Sequence, residues 1–259
     1  MTLPTQDTDM THALQGLEAD RSAVRLRAAM AAGTTPDPRF VGKLLERCAA
    51  EPDFQVREML TWALTRHPAA VTVPALIGEV RSERDQARSQ ALHTLSKIGD
   101  RQAWPVITRA LLSDAEDEVA RSAWRAAAVL VPSGEENELA DALATQLGRG
   151  GREMHLSLSR ALIALGEVIL PALHTAAADP DPGVRAHALA TEQLLRDPDA
   201  GFGFAVEEAK RVVALGPDGA PRTDGAPRTD GAPRTDGALG EDGALGPDAA
   251  LSTGGEEGD

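Results

Sequence analysis

The amino-acid sequence predicts an all-α solenoid of about six helical hairpins, followed by a disordered C-terminal tail. Three observations carry that expectation. Hydrophobic residues make up 42% of the 259-residue chain but aromatic residues only 3%, with no Tyr. Burial therefore falls to Ala and Leu, which suits close-packed helices better than strands built from β-branched and aromatic residues. A short apolar register recurs every 30–35 residues through the first 200 positions, the mark of a helical-hairpin array. From Gly216 the composition shifts to Gly, Pro, Ala and Asp.

The recurring register is anchored at Val24, Val56, Ala87, Val119, Met154 and Val184. Four residues further on stand Ala28, Leu60, Ala91, Ala123, Leu158 and Ala188. Eight residues on stand Ala32, Leu64, Leu95, Ala127 and Leu162, with Glu192 as the exception. At about 100° per residue these offsets form one narrow helical stripe. Cap signals precede these helices at Asp20, Asp53, Asp114 to Asp117 and Asp179 to Pro182, and Gly33, Gly99 and Gly166 are placed to end them. Partner helices are expected near 38–49, 71–82, 101–113, 135–147 and 167–178, three of them bent at Pro74, Pro105 and Pro171. The expected domains are a flexible N-terminus over 1–9, the solenoid over 10–200, a capping helix over 201–215 and the tail over 216–259. The tail opens with three copies of Gly-Ala-Pro-Arg-Thr-Asp, a composition that cannot bury enough apolar surface to offset chain entropy.

The stretches Asp179-Pro-Asp-Pro-Gly-Val-Arg-Ala-His-Ala-Leu and Asp53-Phe-Gln-Val-Arg-Glu-Met-Leu resemble the HEAT-repeat signature. So do the proline of the first helix and the Val-Arg opening of the second. The resemblance, to short bacterial HEAT-repeat (armadillo-like) proteins, covers roughly 10–200. It implies a right-handed α-solenoid whose second helices line the concave side. It also implies an internal ladder in which Arg25, Arg57, Arg88 and Arg185 meet acidic groups at the turns, with Asp53, Asp85, Glu116 and Asp181 placed to serve.

Chemistry is sparse. The chain holds no Gly-x-Ser-x-Gly elbow, P-loop or dinucleotide fingerprint, and its six histidines lack metalloprotease spacing. Catalytic, cofactor-binding and metal sites are all expected to be none. The lone Cys48, beside Leu44 and Leu45, is expected to be a buried thiol. A single cysteine, the absence of a basic-apolar leader and the lack of an apolar run near 18 residues predict a cytoplasmic, non-membrane protein.

The net charge of −14 divides evenly, with five basic and twelve acidic residues in 201–259 and −7 left for 1–200. Such a balance disfavours nucleic acid as a partner. Against it stands a row three and six residues after the anchors: Arg27, Met30, Met59, Trp62, Gln90, His93, Ser122, Arg125, Ser157, Arg160 and His187, extended by Arg66 and Lys97. The row itself contains no carboxylate. It reads as a cationic binding face centred on Trp62 and His93, suited to a protein partner with an acidic segment. The competing reading is an ordinary solvated face. Two enzymatic alternatives rest on resemblance: HEAT-like alkylpurine DNA glycosylases, to whose catalytic carboxylate no residue here matches, and bilin lyases. Oligomeric state is left open.

Overall fold

The computed structural model describes residues 4–215; the tail expected over 216–259 lies outside the described residues. No strand occurs among the described residues. Helix α1 spans Pro4–Gly16 and α2 Ser22–Thr34. After a 3₁₀ turn at Pro38–Phe40 come α3, Val41–Cys48, and α4, Phe54–Arg66; then α5, Ala69–Glu79, and α6, Asp85–Ile98. The fourth hairpin opens with a 3₁₀ segment, Arg101–Val106, and one helical turn, α7, Arg109–Leu112, before α8, Asp117–Leu130. Next stand α9, Glu136–Ala144, and α10, Arg152–Ile163; a 3₁₀ turn at Gly166–Ile169 leads into α11, Leu170–Ala176, and α12, Pro182–Arg196. A last helix, α13, Phe202–Leu215, packs on α12.

Second helices stack in chain order, α2 on α4, α4 on α6, α6 on α8, α8 on α10 and α10 on α12. First helices form the other layer, with α3 on α5, α7 on α9 and α9 on α11. The predicted stripe is what the two layers share: Ala28, Leu60, Ala91, Ala123, Leu158 and Ala188 are all buried, as are the five apolar residues eight past the anchors. Burying each such Leu is worth about 1.5–3 kcal/mol, and the alanines let neighbouring helices approach to roughly 8–10 Å. Glu192, the exception, is buried but paired with Arg196 and with His174 Nε2 at 3.2 Å.

Three details differ from expectation. α1 begins at Pro4, so the segment expected to be a flexible terminus over 1–9 is helical from its fourth residue. Proline suits that first turn, where its missing N–H would have no partner. Gly33 is the penultimate residue of α2 and does not take the left-handed conformation of a cap. A Cβ there would stand 2.8 Å from Ala63 Cα and crowd the Trp62 ring, so glycine permits a close crossing of α2 and α4. By contrast Gly99 and Gly166 do take the left-handed conformation, at φ 71° and 78°. Pro74 sits in the interior of α5, Pro105 lies in a 3₁₀ segment, and Pro171 is in the first turn of α11, just after one. At two of the three positions the proline therefore accompanies a 3₁₀ segment, whereas α5 runs on through Pro74.

Candidate binding face

The turns that hold the second helices in place are built from arginine. Arg25, Arg57, Arg88 and Arg185 each donate from Nη1 to the backbone carbonyls six and five residues earlier, at 2.7–3.3 Å. The expected carboxylate ladder holds only for Arg25, with Glu51, and for Arg88, with Asp85 at 2.7 Å and with Asp114 at 3.2 Å; turn carbonyls are the partners common to all four. Asp53 and Asp181 instead cap α4 and α12 by accepting from backbone N–H groups, a use that competes for the same lone pairs. Glu116 caps no N–H with its side chain. In the fourth repeat the ladder position is Ala120, and Arg149 fills the gap from the following turn. Its Nη2 reaches the carbonyls of Asp114 and Ala115 at 2.6 and 3.4 Å and Asp117 Oδ1 at 2.9 Å.

Glu51 is the carboxylate that sequence reading missed. It is fully buried and meets Arg25 through two bonds of 2.7 Å, with Arg47 Nε 2.9 Å away and the Asp53 N–H donating at 3.0 Å. Burial opposes its charge, but Arg25, the Asp53 N–H and Arg47 outweigh that and hold the carboxyl below its ordinary range.

On this scaffold the second helices present the cationic row. Arg27, Met30, Trp62, Arg66, Lys97, Arg125 and Arg160 are exposed; Met59, Gln90, His93 and Ser157 are half-buried; Ser122 and His187 are buried. Met59 packs against the core, and Gln90 lines a small interior space beside Cys48 and Leu76. Both were placed on the face because an offset of three lies only a short arc from the apolar stripe. Trp62 is 39% exposed and its other side covers Gly33.

The face is also less free of acid than the row itself. Glu58 on α4 lies 3.5 Å from His93 Nε2, and His93 Nδ1 meets Arg125 Nη1 at 2.7 Å. One chain of contacts thus joins α4, α6 and α8. Since arginine can only donate, Nδ1 accepts, the ring proton sits on Nε2 toward Glu58, and His93 is neutral. Burial and then the Arg125 charge push its pKa down, against the pull of Glu58. Glu118 and Glu153 also border the row; Glu118 is taken by Arg121 at 2.8 Å.

Between α8 and α10 the face dips into a cleft of about 260 Å³ bordered by Arg125 and Arg160, with Leu156 and Val129 among its apolar lining. Among the described residues, none of Arg27, Arg66, Lys97, Arg125 and Arg160 has a carboxylate within ion-pair distance of 4.0 Å.

His187, last of the row, belongs to a buried polar layer between α10 and α12. Its Nδ1 accepts from the Gly148 N–H at 3.1 Å, which leaves Nε2–H to donate to the His155 carbonyl at 3.0 Å. Ser159 and Thr191 complete the layer, with 2.8 Å between their hydroxyls, and the His155 ring stacks on His187 at 4.3 Å. Burial and the His155 neighbour bring the His187 pKa down to about 4.

Three further side chains, Cys48, Trp124 and Trp104, have structural roles. Burial pushes the Cys48 thiol up to about 12, so no thiolate forms near neutrality. Trp124 is fully buried and donates to the Leu112 carbonyl at 2.8 Å, while Trp104 reaches Glu135 of the next hairpin at 2.8 Å. Among the described residues no group of three or more His, Cys, Asp or Glu is placed to hold a metal, and no helix is long and apolar enough to cross a membrane.

The family model of HEAT repeats matches residues 41–128. Among solved structures, the crystal structure of an engineered protein determined by a structural genomics consortium is similar at 18% identity and a TM-score of 0.41, over 73% of this chain and 96% of that one. Comparison with curated proteins gives no match. The segment from α3 to α8 is thus matched by the HEAT-repeat model, and stacked helical hairpins of the same kind continue on either side of it.

Proposed function

We propose that the chain is a non-catalytic cytoplasmic scaffold whose second-helix face takes up a protein partner through an acidic segment. HEAT repeats commonly serve protein interaction, and stacked hairpins supply the extended surface for it. One observation carries the reading: five cations of one face lack an ion pair among the described residues, in a chain of net charge −14. Arg25, Arg88 and Arg149 find carboxylates or turn carbonyls, and Arg81 and Arg101, which lack an ion pair among the described residues, lie at a turn and in the first-helix layer and not in one row. Cations left open amid surplus acid keep their attraction for an incoming carboxylate, and Arg, Trp and Met are the side chains enriched where proteins meet.

The test is affinity capture with the full chain from native lysate, before and after nuclease treatment. The triple variant Arg27→Glu/Lys97→Glu/Arg125→Glu, with an unchanged circular dichroism melt, is expected to lose a protein that the wild type retains. Equal capture by both would contradict the reading, and so would material lost to nuclease alone.

A further inference from the structure

Resting on that reading, we propose that the cleft between α8 and α10 anchors the partner by taking one carboxylate side chain between Arg125 and Arg160, with an adjoining aliphatic side chain against Leu156 and Val129. The site then reads a short acidic–aliphatic peptide pattern, not charge alone.

The two arginines reach the cleft in different states. Arg125 spends one N–H on the neutral His93 ring, and that 2.7 Å contact fixes the guanidinium at the edge of the cleft. Arg160, on the opposing helix, has no carboxylate within ion-pair distance among the described residues. The third arginine of the wall, Arg121, is neutralised by Glu118. Burial disfavours the Arg125 charge, as do Arg121 and, more weakly, Arg160, while Glu118 and Glu58 pull the other way. An incoming carboxylate relieves that repulsion, and two facing guanidinium groups can each offer it a pair of N–H donors.

The apolar part distinguishes the occupant. Val129 is 46% exposed, one of the few large apolar side chains so open, and it stands at this cleft. The cleft volume of about 260 Å³ falls short of the ~300–1,000 Å³ that encloses a drug-sized ligand, and suits one or two side chains. Glu153 lies seven residues before Arg160 on α10, roughly 10 Å along the helix at 1.5 Å per residue. It places a negative charge at one end and cations at the other, so an acidic peptide is admitted in one direction. A phosphodiester strand, with a charge on every unit, would have to pass Glu153 and lay phosphate over Leu156.

The experiment is fluorescence anisotropy with the full chain and three labelled probes. These are a capped peptide alternating Leu-Glu-Glu-Leu units, the same peptide with Gln for Glu, and a single-stranded oligodeoxynucleotide of equal length. Wild type is expected to bind the acidic peptide at least tenfold more tightly than the other two. Arg125→Gln and Arg160→Gln should each weaken it about tenfold, Val129→Ser severalfold, and Arg27→Gln/Lys97→Gln less than threefold. All substitutions fall on exposed side chains, and matching melts confirm the fold. Unchanged affinity in Arg125→Gln and Arg160→Gln, with loss in Arg27→Gln/Lys97→Gln, overturns the cleft while leaving the face. Indifference of every variant, or tighter binding of the oligonucleotide, overturns both.

Discussion

At the scale of single residues, Glu51 is the most deeply buried carboxylate among the described residues. A fully buried carboxylate is tolerable only because Arg25 and Arg47 surround it. Removing it would strand Arg25, itself 6% exposed. Glu51→Ala is therefore expected to lower the unfolding free energy by about 3–5 kcal/mol. Arg109→Ala, which breaks an ion pair exposed on both sides, should cost under about 1 kcal/mol. Urea denaturation of both variants checks the contrast. Gly33→Ala is expected to cost about 1–3 kcal/mol by the same measurement, because the new methyl meets the Ala63 backbone and the Trp62 ring. Neither residue was legible in advance. Glu51 sits two positions before the Asp53 cap, and nothing in a linear sequence says which acid turns inward. Gly33 mimicked a helix end because Pro36 follows so closely.

At the scale of elements, the repeat itself was legible almost completely. The offsets of four and eight fell on buried positions in every second helix because a 3.6-residue period forces them onto one side. What holds the turns was legible only in part. The arginine after each anchor was visible, but its carbonyl partners were not, since a backbone acceptor leaves no trace in residue identity. Arg149 shows the same limit: its role depends on two turns meeting that lie 35 residues apart. Arg149→Ala is expected to destabilise the chain by about 1.5–3 kcal/mol in urea denaturation, as for a lost charged hydrogen bond.

The layer between α10 and α12 makes a prediction about pH. The His187 pKa is about 4 when folded, against 6.5 for an unperturbed histidine, so the unfolded chain binds the proton more readily. Its contribution is complete above about pH 6.5 and is lost as pH falls toward 4, amounting to about 3 kcal/mol. His93, also lowered, adds in the same direction. Stability measured by urea at pH 7 and at 4.5 should fall less in His187→Gln than in wild type. Equal slopes would mean that the Gly148 N–H does not hold the ring neutral.

At the scale of the whole molecule, the two layers divide the labour. Some charges of the first helices and turns pair locally, as Arg109 does with Glu138 and Glu135 with the Trp104 ring N–H. The second-helix face keeps Arg27, Arg66, Lys97, Arg125 and Arg160 open. That this face carries cations was readable from residue spacing. That Glu58, His93 and Arg125 form one chain, and that Arg125 and Arg160 share a cleft, was not, because both depend on how far neighbouring repeats are offset. The most direct measurement places a photo-crosslinking amino acid singly at Arg27, Lys97 and Arg160 on this face, and at Ala110 and Glu138 on the first-helix layer. Each full-length variant is then irradiated in native lysate. The account predicts a common protein adduct from the first three positions and none from the last two. Adducts gathered at Ala110 and Glu138, with the second-helix positions silent, would contradict it.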